Sequence, residues 1–485
     1  MRLSLVFLTI TLYLIQETEI VYGQNTVPPI KTTIDAFNTF IKKYDTSWSF
    51  CLLDEKGNKI AFHEPDQLAI PASTLKIITT TPAWDLLGSN FKFQTHVEYS
   101  GYIDNDGILV GNIYIKGEGD PTLGSSRFPG YPSTSELIDQ IIQIIQKQNI
   151  KTIHGDLFID SSFFKNLKPP SSWLNTDIGN YYGAFPQALC IQENQYKLIL
   201  QSGKKIGDSV RIIKTDPVFI PNFQFINELK TGSVNSGDQA SINYIEGDSI
   251  WHIQGTIPLS KNTFTIKGSL PHPGALLVYM LKSKLKILGI EILDNNIYSS
   301  KRTRLHTFSS PPLFDILTIV NQKSQNLFAE QIFLLLGYVY KKEISYSASG
   351  QTIKDYWNKK GINLTSATII DGSGLSPQNN ISCSQLASIL KTIQEEAYFP
   401  QFIKTLSTSG EYGTLRSWQN DKLKGKIIGK SGNMKLLGTK AYAGYLKKGD
   451  KLLSFALFIN NYQHNNVPLK KQIELFLENI IYAVN

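Results

Sequence analysis

The 485-residue chain is poor in cysteine and histidine, with 3 and 7 respectively, and neither type is clustered. Cys51, Cys190 and Cys383 match no metal or redox spacing. An oxidising compartment would permit one disulfide and leave an odd thiol, but three buried, small apolar side chains are the simpler expectation. The histidines lack the paired spacing that zinc sites need, so neither a metal nor another cofactor is expected. Charged residues make up 18% of the chain, and no internal repeat or low-complexity stretch is evident. Lys and Arg are dispersed along the sequence. This composition speaks against disorder, coiled coil and nucleic-acid binding. The formal charge of +8 reads as a solvated basic surface, which still allows attraction to an anionic polymer.

Long apolar runs are also scarce. One lies at the start, where Arg2 precedes the mostly apolar stretch from Leu3 to Ile15 and a Val21-Tyr22-Gly23 cleavage site. Residues 1–23 therefore read as an export signal, and the protein as exported and periplasmic. A retained signal anchor is the competing reading, although the run is short for a bilayer span. No later run approaches spanning length, so the mature chain is expected to have no membrane anchor. Peripheral contact with a membrane stays open.

What is present describes a mixed globular protein, with 41% hydrophobic residues, 35 Gly and 21 Pro. The length favours two or three domains. Helical periodicity is clear in Leu277, Leu281, Leu285 and Leu288, in Leu386, Ile389, Leu390 and Ile393, and in Ile473, Phe476, Leu477 and Ile480. Residues 95–270 differ: short apolar runs such as Ile113 to Ile115 and Leu157 to Ile159 alternate with glycine turns, the texture of small β-rich modules. The expected organisation is α+β, with segments 24–94 and 271–485 forming one domain. The insertion at 95–270 would be β-rich, with two domains, one nested in the other.

The chemistry centres on Pro71-Ala72-Ser73-Thr74-Leu75-Lys76. A helix starting near Ser73 and closing at Gly88 puts Ser73 and Lys76 one turn apart on a shared face. A serine hydroxyl is a poor nucleophile until a neighbour takes its proton, and a lysine can do so only when neutral. Depressing a lysine from a reference near 10.4 to about 7 costs roughly 4 to 5 kcal/mol, which burial and a nearby cation can supply. Pro82 falls later in the same helix, where it should remove one backbone hydrogen bond and bend the axis.

Spacing alone carries little, since Ser-x-x-Lys recurs at Ser89, Ser162, Ser202, Ser283 and Ser388. Two companions single out Ser73. Ser324-Gln325-Asn326 stands between two helical runs, and Lys430-Ser431-Gly432 stands where a strand should begin. A rival third element, Lys230-Thr231-Gly232-Ser233, falls in the strand-rich insertion and precedes Ser324, so it breaks the order. Ser-x-x-Lys, Ser-x-Asn and Lys-[Ser/Thr]-Gly, in that order, form the motif set of penicillin-recognising acyl transferases.

Nearly the whole mature chain resembles the D-alanyl-D-alanine carboxypeptidases and endopeptidases of the class C, low-molecular-mass penicillin-binding proteins. The likeness extends to Gly119-Asp120-Pro121-Thr122-Leu123, Gly155-Asp156, Gly179-Asn180-Tyr181-Tyr182-Gly183, Asp371-Gly372-Ser373-Gly374-Leu375-Ser376 and Gly413-Thr414-Leu415-Arg416. It implies a transpeptidase/β-lactamase-like domain, an antiparallel sheet flanked by helices, interrupted between the first two motifs. The interval from Ser73 to Ser324, about 250 positions, exceeds what a compact β-lactamase holds.

The resemblance also implies roles. Ser73 attacks the carbonyl of the penultimate D-alanine of a peptidoglycan peptide, and water hydrolyses the acyl-enzyme. Lys76 accepts the serine proton, and Ser324 relays a proton to the leaving amine. Asn326 holds the substrate amide and Lys76. Lys430 keeps the potential positive and, with Ser431 and Gly432, faces the terminal carboxylate. The amides of Ser73 and Asn433 form the oxyanion hole. Asp177 and Tyr182 match positions that read the third residue of the wall peptide, and a carboxylate at Asp177 suits a free amino group there; a plain turn aspartate is the alternative. β-Lactams would be covalent inhibitors. Pro377 stands where many relatives carry an arginine, which puts substrate preference in question. Two rivals are a serine β-lactamase or esterase of the same fold and a non-catalytic wall-binding protein.

Overall fold

The computed structural model describes residues 28–484, apart from 166, 245–249, 294–300 and 465. The expected export signal at 1–23 lies outside the described residues.

The first core is built on a six-stranded antiparallel sheet. Its order is Lys59–His63, Ser47–Leu53, Lys451–Asn460, Thr439–Lys448, Ile427–Met434 and Ser407–Thr408. The Lys451–Asn460 strand shows why the sheet is covered on both faces, because Leu453 to Ile459 are all buried. Alternation then sorts them. Phe455, Leu457 and Ile459 meet the terminal helices Ile30–Ile41 and Asn466–Ala483 through Phe37, Phe476, Leu477 and Ile480. Ala456 and Phe458 face the other layer, where Leu386, Ile389, Leu390 and Ile393 line the helix Cys383–Gln394. Each fully buried Leu or Phe is worth roughly 1.5–3 kcal/mol.

A second core lies between the first two motifs. A four-stranded sheet, Arg302–Ser309, Gln94–Ser100, Ile113–Gly117 and Leu157–Asp160, stands with a smaller sheet of Glu291–Ile292, Thr152–His154, Ile108–Val110 and Tyr102–Ile103. Residues 195–269 add a three-stranded and a four-stranded sheet to the same core. The helix Pro273–Ile287 departs from the sequence expectation. Leu277, Leu281 and Leu285 are buried on one face, but they pack into this second core, while Leu288 at the cap is 45% exposed. The strand Arg302–Ser309 likewise pairs with Gln94–Ser100. Chain beyond 270 therefore packs with the second core before rejoining the first, because periodicity shows that a face is apolar without showing what covers it.

The three cysteines are free and buried. Burial pushes Cys51 up to about 12 and Cys190 up to about 11, so both stay inert thiols.

Pro82 sits inside the helix Lys76–Leu87. The carbonyl of Ile78, one turn earlier, would have accepted an amide that proline lacks. The buried indole of Trp357 donates to it instead, at 3.2 Å. Trp357→Phe should lower stability by about 1–3 kcal/mol through the orphaned carbonyl alone. Adding Pro82→Ala, which restores an amide donor, should recover part of that loss. Urea midpoints of the single and double variants test this, and no recovery in the double variant would exclude the proposed substitution of donors.

Candidate active site

The turn Ala72–Leu75 is a 3-10 helix that runs directly into the helix Lys76–Leu87. Thr74 Oγ1 donates to Pro71 O at 2.7 Å, and Ala72 adopts the left-handed region at φ 44°. This tight entry leaves Ser73 half-buried at the mouth and Lys76 fully buried behind it.

Three stretches of chain meet on the Lys76 amine. Its Nζ donates to Ser73 Oγ at 2.9 Å, to Asn326 Oδ1 at 2.7 Å and to the Ser373 carbonyl at 2.7 Å. Asn326 opens the helix Asn326–Lys341, and its Nδ2 donates to Tyr182 O at 2.7 Å. Ser324 caps the preceding helix Leu313–Lys323 in the left-handed region, φ 57°. Its Oγ accepts from Lys430 Nζ at 2.9 Å, and Lys430 also donates to Ser431 O at 2.7 Å. Lys430 is 1% exposed. The rival Lys230 is exposed on a strand of the insertion and donates to Ser209 Oγ at 3.2 Å.

The strand Ile427–Met434 brings the third motif against the turn Ala72–Leu75. A Cβ at Gly432 would lie 2.9 Å from both Ser73 N and Pro71 O, so glycine is what admits the close approach. Ser431 Oγ donates to Thr414 Oγ1 at 2.7 Å, which gives the Gly413-Thr414-Leu415-Arg416 segment a place beside the site. Asn433 is exposed at the next position of the strand. Asp177 is 6% exposed and accepts from the Tyr182 hydroxyl at 3.1 Å. Burial pushes the Asp177 carboxyl upward. Tyr182 touches the centre through its backbone bond to Asn326.

Electrostatics follow from burial. Burial pushes Lys76 down to about 7, against the upward pull of Glu330 and Asp371. Lys430 is held well below the ordinary lysine range, by burial first and by Lys76 second. Of the two causes expected from sequence, burial and a neighbouring cation, burial is the larger at both lysines. A neutral Lys76 can turn its lone pair toward Ser73 Oγ while its two remaining hydrogens stay on Asn326 and Ser373.

Glu330 was not singled out from sequence. Fully buried, it accepts from Ser373 N at 2.8 Å and Gly372 N at 3.1 Å. It thereby fixes the loop whose carbonyl holds Lys76. Burial, reinforced by Asp371, pushes Glu330 up to about 8. Asp371 in turn accepts from Gly374 N, Ser376 N, Asn379 Nδ2 and Trp173 Nε1. The signal was a charged residue within the buried run Leu327 to Leu336, four positions after Asn326 and on the same helix face.

A sequence profile described as "D-Ala-D-Ala carboxypeptidase 3 (S13) family" matches residues 48–480. The chain belongs to that family. It is 26% identical over 421 residues to the D-alanyl-D-alanine carboxypeptidase DacB of Haemophilus influenzae, covering 85% of this chain and 84% of the relative. It is 21% identical over 453 residues to a D-alanyl-D-alanine carboxypeptidase of an Actinomadura species, covering 88% and 80%. The crystal structure of penicillin binding protein 4 (dacB) from Haemophilus influenzae superposes with a TM-score of 0.76 at 23% identity, over 92% of this chain and 98% of that one. The expected α+β transpeptidase-like fold agrees with that neighbour, and the S13 protein described here is an enzyme of the serine D-Ala-D-Ala carboxypeptidase class.

Because a base must be neutral to act, acylation of this S13 protein by a penicillin should fall as pH drops through about 7, roughly tenfold per unit below it. Glu330, pushed up to about 8 by burial, is mostly protonated over that limb, so Glu330→Gln should leave the limb nearly where it is. Stopped-flow acylation rates across pH test both expectations; a limb near the ordinary lysine range, or one that Glu330→Gln moves by a full unit, would refute them.

Proposed function

We propose that the protein cleaves the bond between the last two D-alanines of peptidoglycan peptides, or D-alanyl cross-links, through an acyl-enzyme on Ser73. The observation that carries this reading is the convergence of two buried lysines from stretches about 350 positions apart, Lys76 on the Ser73 hydroxyl and Lys430 on the Ser324 hydroxyl.

Neutral Lys76 takes the proton from Ser73 Oγ as the oxygen attacks the penultimate D-alanine carbonyl. The backbone amides of Ser73 and Asn433 receive the developing oxyanion, a contribution of about 3–4 kcal/mol per donor in comparable sites. Collapse breaks the C–N bond. Ser324, hydrogen-bonded to Lys430, relays to the departing amine the proton that Lys76 accepted, so both groups end neutral and the amine leaves as free D-alanine or as the cross-linked strand. Water then attacks the ester, giving a proton to neutral Lys76, which returns it to Ser73 Oγ as the ester C–O bond breaks. Lys430 and Ser431 face the terminal carboxylate, and Gly432 leaves room for it. Asp177 and Tyr182 would read the third residue of the wall peptide. The hydrogen bond between the buried Asp177 carboxyl and the half-buried Tyr182 hydroxyl supports recognition of an amino group there.

The substrate lies outside the cytoplasmic membrane, which supports reading 1–23 as an export signal and the protein as periplasmic. No helix among the described residues is long and apolar enough to cross a membrane. The packing supports an insertion running from Gln94 to Ser309, with the module at 195–269 nested within it. β-Lactams, whose carbonyl mimics the scissile bond, would acylate Ser73.

Fluorescent penicillin should label the wild type stably, and Ser73→Ala should abolish labelling while leaving the circular dichroism unchanged. Retained labelling would move the nucleophile elsewhere, and rapid release of hydrolysed drug would favour a β-lactamase. Masses of the products from monomeric and cross-linked wall fragments then separate terminal trimming from cross-link cutting.

A further inference from the structure

The insertion touches the catalytic centre at a second place besides Tyr182. Gln192, Glu193 and Asn194 are three consecutive non-glycine residues in the left-handed region, with φ of 42°, 61° and 49°. Such a run persists only where the surroundings over-determine it. Here they do. Gln192 N donates to Leu123 O at 3.0 Å, and Leu270 N donates to Asn194 O at 2.7 Å. Asn194 Oδ1 accepts from Ile191 N at 3.1 Å, and its Nδ2 donates to Phe185 O at 2.9 Å.

What this turn delivers is one carboxylate. The Glu193 side chain is 9% exposed. Its Oε1 accepts from Arg127 Nε and from Ser125 Oγ, both at 2.7 Å, and its Oε2 accepts from Gln325 Nε2. Gln325 is the middle residue of Ser324-Gln325-Asn326 and is itself 6% exposed. It links a left-handed Ser324 to the first residue of the next helix, at φ −70° and ψ 112°. Rotation of this one residue would swing Ser324 Oγ away from Lys430 and Asn326 Oδ1 away from Lys76 together.

We infer that Glu193 is a positioning residue, which clamps Gln325 from the insertion and so sets the direction of both flanking side chains of the second motif. The inference rests on the roles proposed above for Ser324 and Asn326. A purely structural ion pair would affect how much protein folds, without changing the acylation rate of each folded molecule and without depending on Gln325.

The test is a double-mutant cycle on the full chain, with Glu193→Ala, Gln325→Ala and both, reading single-turnover acylation by a fluorescent penicillin per folded molecule. Each single variant should lose about 10- to 100-fold in limiting acylation rate with half-saturation within about twofold, and the double should be no worse than the poorer single. Glu193→Gln keeps an acceptor for Gln325 and should recover most of the rate. If Glu193→Ala does not fold, Gln325→Met, similar in shape but without the amide, decides alone and should lose about tenfold or more. Singles within about twofold of wild type, or an additive double, overturn the inference. Failure of the wild type to be acylated at all would instead overturn the proposed Ser73 chemistry.

Discussion

An amine in water keeps its proton to a pH near 10.4, and the chemistry proposed for this S13 protein depends on defeating that preference at Lys76. Burial does most of it. A buried amine must still be hydrogen-bonded, or the desolvation would cost more than folding can offset. The chain meets that demand with acceptors from the nucleophile turn, the second motif and the Asp371–Ser376 loop. Each acceptor has its own support. Asn326 is tied to Tyr182, and the Ser373 carbonyl is set by Glu330, so moving any of these stretches would expose the amine or orphan it.

The same constraint explains the close backbone packing around the site. Gly374 lies so near the nucleophile turn that a Cβ there would come within 2.0 Å of Ala72 O. Gly432 meets the same turn from the sheet side. Two glycines thus let a loop and a strand both pack closely against the turn that carries Ser73. The sheet contributes stiffness: the strand bearing Lys430 is paired along its length with Thr439–Lys448, so the second amine is placed by a ladder of hydrogen bonds.

The parts legible in sequence were those written locally. Ser73 and Lys76 are one turn apart, and a serine and an asparagine flanking one residue between two helical runs predict a break that presents both side chains. Ordered against Lys430-Ser431-Gly432, these segments were enough to nominate a site and exclude Lys230. Illegible were the partners supplied by distant chain. Nothing near Pro82 announces that Trp357 will cap the carbonyl it frees, and Glu330 reads as an oddity in an apolar helix until the Gly372 and Ser373 amides are placed above it. The helix Pro273–Ile287 shows the limit most clearly: its apolar face was visible, but the strand Arg302–Ser309 that draws the chain back to the insertion had no local signature.

Backbone strain points to the same place as the electrostatics. Among the described residues with positive φ that are neither glycine nor Asn or Asp stand Glu64, Ala72, Gln192, Glu193, Ser324 and Lys342. Asn and Asp tolerate this region because their short side chains bond locally; the others have no such excuse. Four of those six lie in the site or in the turn that reaches its second motif. Ala72 adjoins it, Ser324 receives Lys430, and Gln192 and Glu193 form the turn that reaches Gln325. A fold that merely needed to bury two cores would have relaxed these positions, since strain of this kind costs of order 1–3 kcal/mol per residue. Its concentration here means that the placement of two hydroxyls, Ser73 against Lys76 and Ser324 against Lys430, was held against the preferences of the backbone.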